Sequence, residues 1–169
     1  MTPRKQLVGF IAKFTPQVAG IAHEVLEKMR LRLPGAVELV YDNYNALAVG
    51  FAPGERSSEG IFSIVLFPRW VTLFFLQGAK LPDPKNLLRG EGKVVRHIVL
   101  EAASDLEMPG IRALMSAAIK SAKRAIDPAG ENRIVIRAVL KKQRPRRPAG
   151  ASAAPVKAVK AKHSGRRPK

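Results

Sequence analysis

Between Val37 and Leu76 the chain places four apolar stretches so close together that most ways of pairing them are forbidden. Val37, Leu39 and Tyr41 alternate with Glu38, Val40 and Asp42, and Leu47, Val49 and Phe51 alternate after the turn-like Asp42-Asn43. Residues 61–67 and 70–76 follow, separated only by Pro68-Arg69. A period of two is that of a strand. Parallel neighbours need a crossover of a dozen or more residues, and these joins are shorter, so the stretches must pair antiparallel. Residues 94–100 predict a fifth strand, whereas residues 134–139 are β-branched and fit either a last strand or a helical continuation.

Helical spacing flanks the strand region. Thr15-Pro16 is a helix start, a capping hydroxyl followed by proline at the first helical position. Val18, Ile21, Val25 and Met29, with Ala22, Leu26 and Leu33 on the flank, then recur at helical intervals until Leu33-Pro34-Gly35 stops them. A shorter amphipathic piece over residues 7–14 precedes it. Ile111, Leu114, Met115, Ala118, Ile119 and Ala122 predict a later helix, with Ser104-Asp105-Leu106-Glu107 as a capping box upstream. Helices, a run of strands, then a helix predict an α+β two-layer domain: an antiparallel sheet of five or six strands packed by helices.

Charge divides the chain. It carries 30 Lys+Arg against 13 Asp+Glu, a formal net charge of +17. Eleven of those cations lie in 141–169, which has no acid, leaving 19 basic and 13 acidic residues in 1–140. Residues 143–155 contain no large apolar side chain and bury too little surface to offset about 1–2 kcal/mol per residue of ordering entropy. The expected organisation is a domain over 1–140 and a disordered basic tail over 141–169. No apolar run reaches the ~20 residues of a membrane-spanning helix. The N-terminal apolar stretch breaks at Lys13, unlike a secretory signal. With no cysteine there is no disulfide, thiolate metal site or cysteine nucleophile. Cytoplasm is the expected compartment.

Several blocks resemble a known family: Phe10-Ile11-Ala12-Lys13-Phe14-Thr15-Pro16, Glu38-Leu39-Val40-Tyr41, residues 75–84 with Leu81-Pro82-Asp83-Pro84, and Gly92-Lys93-Val94-Val95-Arg96-His97-Ile98. In this order, over residues 8–125, they look like the YdhG-like domain-of-unknown-function family. The resemblance implies an α+β fold with an antiparallel sheet. Most members have no assigned activity, and one branch has been likened to frataxin-type iron chaperones. The chain departs from the family at Tyr41-Asp42-Asn43-Tyr44, where an aromatic-Gly-x-Pro turn is expected. The tail, outside the resemblance, is similar to the Lys/Ala/Pro-rich tails of histone-H1-type proteins.

Candidate chemistry is sparse. Lys93, Arg96 and His97, with Tyr41 and Trp70 from other strands, are the candidate ligand-binding residues for a small molecule or protein partner. Arg96 falls on a strand face of large apolar residues, so it either snorkels outward at an edge or is held by a buried acid such as Glu38. His23, His97 and His163 have no metal-ligand partner at motif spacing. An iron reading rests on Glu24 and Glu27, set among Lys28, Arg30 and Arg32. Phe62, Phe67, Phe74 and Phe75 lie in continuous apolar runs and are expected in the core rather than as a base-stacking surface. No catalytic residue, metal site or cofactor is assigned. An enzymatic reading would need Arg96, His97 and Tyr41 in one pocket. The tail predicts non-specific nucleic-acid binding through Arg144, Arg146, Arg147, Lys157, Lys160, Lys162, Arg166 and Arg167, which neutralise phosphates without reading bases.

Overall fold

A computed structural model describes residues 1–150. Helices α1 (Pro3–Ile11) and α2 (Pro16–Arg32) precede strands β1 (Val37–Asp42), β2 (Leu47–Ala52), β3 (Phe62–Leu66), β4 (Val71–Phe75) and β5 (Arg96–Leu100). Helix α3 (Pro109–Lys120) and strand β6 (Arg133–Val139) complete the fold. Both N-terminal helices start the same way. The Thr2 hydroxyl accepts from the Lys5 amide at 3.2 Å, and that of Thr15 from the Val18 amide at 3.3 Å, each with proline next in sequence.

The six strands form one sheet in the order β5-β4-β3-β2-β1-β6. The first five pair antiparallel; the short connections require this from β1 to β4, whereas the longer run between Phe75 and Arg96 leaves β5 free to choose and it too pairs antiparallel. Residues 133–139 are a strand, and it lies parallel to β1, so the sheet is mixed rather than wholly antiparallel. A parallel neighbour is allowed here because the whole run from β2 through α3 separates β6 from its partner. Gly35 and Asn132 set that pairing. Gly35 has φ +86, and a Cβ there would lie 1.8 Å from the Asp127 carbonyl oxygen, so only glycine lets the two loops touch. Its amide donates to Asn132 Oδ1 at 2.8 Å, one residue before β6 begins.

The helices pack on one side of the sheet. Val40, Leu47, Val49, Phe51, Phe62, Ile64, Leu66, Val71, Leu73, Phe75, Ile98 and Leu100 join Val18, Ala22, Val25, Leu26 and Met29 of α2 and Ile111, Leu114 and Met115 of α3 in one core. Phe62 and Phe75, paired across β3 and β4, meet edge-to-face with centroids 5.6 Å apart. The opposite face carries a small separate cluster, Val37, Leu39 and Ala52 with Tyr41 and Val135, to which no helical residue belongs.

The capping box expected at residues 104–107 takes another form. Residues Ala103–Glu107 are a 3-10 turn whose Asp105 carboxylate accepts from the Glu101 amide at 2.8 Å, and α3 starts afresh at Pro109. Proline's fixed φ favours the first turn of a helix, which places the break there. No helix among the described residues is long and apolar enough to cross a membrane.

Candidate nucleic-acid interface

The five candidate ligand-binding residues do not form one site. Arg96 pairs with Phe75 and faces the helix layer, while Tyr41 pairs with Ala48 and faces away. His97 shares Tyr41's face but lies on β5, four strands from β1, roughly 19 Å away at ~4.8 Å per strand. Lys93 is exposed in the loop before β5, and Trp70 closes the β3–β4 hairpin against Phe67. The convergence an enzyme built on Arg96, His97 and Tyr41 requires is therefore not met.

Arg96 resolves its two readings as an edge residue. It begins β5, the outermost strand, and its guanidinium donates to the carbonyls of Gly92 and Val95. Glu38 does hold an arginine, but it is Arg30 of α2: Nε to Oε2 at 2.8 Å and Nη2 to Oε1 at 2.9 Å, a two-pronged pair. Arg30 also donates to Glu27 at 2.7 Å, which removes half of the Glu24–Glu27 pair considered for iron. Among the described residues no group of three or more His, Asp or Glu is arranged to hold a metal ion.

His97 packs against Phe74 with centroids 5.3 Å apart, and its backbone exchanges two 2.9 Å hydrogen bonds with Arg89. Burial first, and then the positive charge of Arg89, push its imidazole pKa below the ordinary value. Of the four phenylalanines expected in the core, Phe62 and Phe75 are there. Phe67 and Phe74 alternate onto the other face and stay half-buried. The apolar runs hid this because alternation cannot be read where both faces are apolar. Elsewhere, an apolar hollow of about 300 Å³ between residues 82–87 and the start of α3 includes none of the expected residues.

The basic C-terminal segment supplies the better site. Residues 143–150 fall in the stretch expected to be disordered, yet Arg146 is 5% exposed. Its Nη2 lies 2.8 Å from Asp42 Oδ1 and 2.5 Å from the Asn43 carbonyl, and its guanidinium sits 5.7 Å from the Phe14 ring. Lys13 Nζ reaches Asp42 Oδ2 at 3.1 Å. The Gln143 amide donates to the Asp42 carbonyl at 3.1 Å, and the Arg144 amide donates to Tyr44 at 2.9 Å. The apolar-surface argument failed here because hydrogen bonds and an ion pair, not hydrophobic burial, hold the segment. Burial drives the Asp42 carboxyl pKa upward, but Gln143, Arg146 and Lys13 outweigh it and hold the group below the ordinary carboxylate value.

What this leaves facing solvent is basic. Lys13, Lys141, Lys142 and Arg144 are exposed, with the Arg144 guanidinium 5.7 Å from the Tyr44 ring centroid. Arg147 Nε donates to the Lys13 carbonyl at 3.2 Å. The carboxylate at this end, Asp42, is fully buried and doubly paired, so it does little to offset the field outside. Lys157, Lys160, Lys162, Arg166 and Arg167 lie outside the described residues. Compared with known protein families, curated proteins and solved structures, the chain matches none.

Proposed function

We propose that this protein is a cytoplasmic, non-enzymatic binding protein, a YdhG-like domain that holds nucleic acid non-specifically through its basic C-terminal segment. The observation that carries the reading is the anchoring of Arg146 on buried Asp42, which fixes the root of the basic segment to the domain. Lys13, Lys141, Lys142, Arg144 and Arg147 then form a platform, and the sequence that follows adds six more cations in 151–169. Cations of this kind neutralise phosphates and release condensed counterions, which gives affinity without base readout. The exposed Tyr44 beside Arg144 adds a planar surface. The scattered positions of Tyr41, Trp70, Lys93, Arg96 and His97 support neither a shared ligand pocket nor a catalytic site at these residues, which leaves the basic segment as the better-supported binding element. The iron-chaperone alternative gains no support from Glu24 and Glu27.

The test is a salt-dependent titration of duplex DNA into the full chain and into a chain ending at Gly150, which keeps the Arg146 anchor. The full chain should bind with a steep log–log salt slope. Removing six cations should flatten it by about 5 units if all engage, at ~0.9 per phosphate contact. Absence of salt-dependent binding in both chains overturns the proposal.

A further inference from the structure

The sheet face away from the helices has an unusual charge pattern. The strand register places on it Val37, Leu39 and Tyr41 of β1, Ala48, Gly50 and Ala52 of β2, Ser63 and Val65 of β3, Thr72 and Phe74 of β4, His97 and Val99 of β5, and Arg133 and Val135 of β6. None is acidic. Both carboxylates of β1, Glu38 and Asp42, point to the helix side and are neutralised there. The face also carries two aromatic pairs. Phe67 and Trp70 flank the β3–β4 turn with centroids 6.0 Å apart, and Phe74 and His97 meet across β4 and β5 at 5.3 Å. Trp70, immediately before β4, and Thr72 and Phe74 on it follow at every second position, which spaces the pairs by roughly 13 Å. Between them the Thr72 hydroxyl is buried and has no hydrogen-bond partner.

We infer that this face is a stacking platform for single-stranded nucleic acid, with unpaired bases taken up by Trp70 and Phe74. The charge balance selects the occupant: the strands of this face carry no carboxylate, the one at its rim, Glu55, is neutralised by Arg133 at 2.7 Å, and the chain as a whole has a net charge of +17, which suits a polyanion. Half-buried aromatic rings select bases over phosphate alone, since every base offers a π-face and stacking needs no sequence. The orphan Thr72 hydroxyl is a polar group that a base edge can satisfy and an apolar protein surface cannot. The inference rests on the proposed affinity for nucleic acid but places single strands on a different surface from the basic end.

Trp70 is the chain's only tryptophan, so the face reports on itself. Single-stranded oligo(dT) added to the full chain should quench Trp70 emission saturably. A duplex of equal length should bind, by anisotropy of a labelled strand, without quenching. Phe74→Leu keeps apolar bulk but loses the ring, and should weaken oligo(dT) binding about five- to a hundredfold while leaving duplex affinity unchanged. An unshifted melting temperature shows that this variant folds, and Phe74→Tyr, which keeps a stacking ring, should restore the affinity. Oligo(dT) binding with unaltered Trp70 emission and equal affinity in Phe74→Leu overturns the platform and leaves the basic end intact. Emission that shifts with protein concentration alone assigns the face to a second copy and overturns it too. Failure to bind either nucleic acid defeats both readings.

Discussion

Glu38 and Asp42 stand four residues apart on the same face of β1, both buried, and the chain treats them differently. Glu38 is held by Arg30, eight residues away, so its pair joins α2 to the strand that follows it. Asp42 is held by Lys13 and by Arg146, which is 104 residues away. The first pair lies within a helix–strand unit that the core already holds. The second lies at the end of β1 against Phe14, and it decides where the basic segment leaves the domain. One ion pair therefore ties neighbouring elements together, and the other ties the C-terminal segment to the domain.

The contrast can be broken from either side. Glu38→Ala leaves the half-buried Arg30 only the exposed Glu27 as partner, and the expected loss is toward the lower end of about 3–5 kcal/mol, read as a lower denaturant midpoint. Replacing both partners with apolar residues, Arg30→Met with Glu38→Leu, should recover most of that loss, because no uncompensated charge remains. Arg146→Ala should cost less, about 1–3 kcal/mol, since Lys13 still faces Asp42. Its signature is local: the Arg144 amide, bound to the Tyr44 carbonyl, should exchange faster with solvent while core amides keep their protection.

Acid sharpens the same comparison. Asp42 is held below the ordinary carboxylate pKa in the folded state, so the unfolded chain takes up the proton first as pH falls. The stability it contributes is present above about pH 4 and lost as pH drops through its folded value. Arg146→Ala should flatten that part of a plot of melting temperature against pH. His97 gives the smallest effect. Its pKa is lowered by burial and by Arg89, so stability should decline as pH falls below about 6.5, and His97→Gln should remove that slope.

The sequence was legible where one physical rule dominated. Alternation and short joins gave β1 to β4, and Thr15-Pro16 gave α2. The same rule applied at Thr2-Pro3 would have started α1 at its observed position rather than at residue 7. Reading failed where two rules competed. Residues 134–139 satisfied strand and helix alike; what decides is tertiary, the parallel ladder with β1 and the Gly35–Asn132 contact, 97 residues apart, at its start. Alternation puts Arg96 on its observed face but leaves open whether it sits at an edge or on an acid such as Glu38; it is the edge residue and Glu38 goes to Arg30, because partner choice is a tertiary matter. Arg144, Arg146 and Arg147 were read as one class of surface cation. Nothing local marks Arg146 as the buried member, and the carboxylate that claims it lies a hundred residues upstream.

The parallel pairing of β6 with β1 also has a consequence for biosynthesis. The β1–β2 hairpin is complete once residue 52 has emerged, but the strand that covers the far side of β1 ends at Val139. At ~5–20 residues per second a ribosome leaves that edge, with its unpaired amides and carbonyls, open on the order of ten seconds. Open edges of apolar strands are templates for wrong pairing. Val37, Leu39 and Val40 make this one sticky, and the nascent chain has to wait for its last strand to close it.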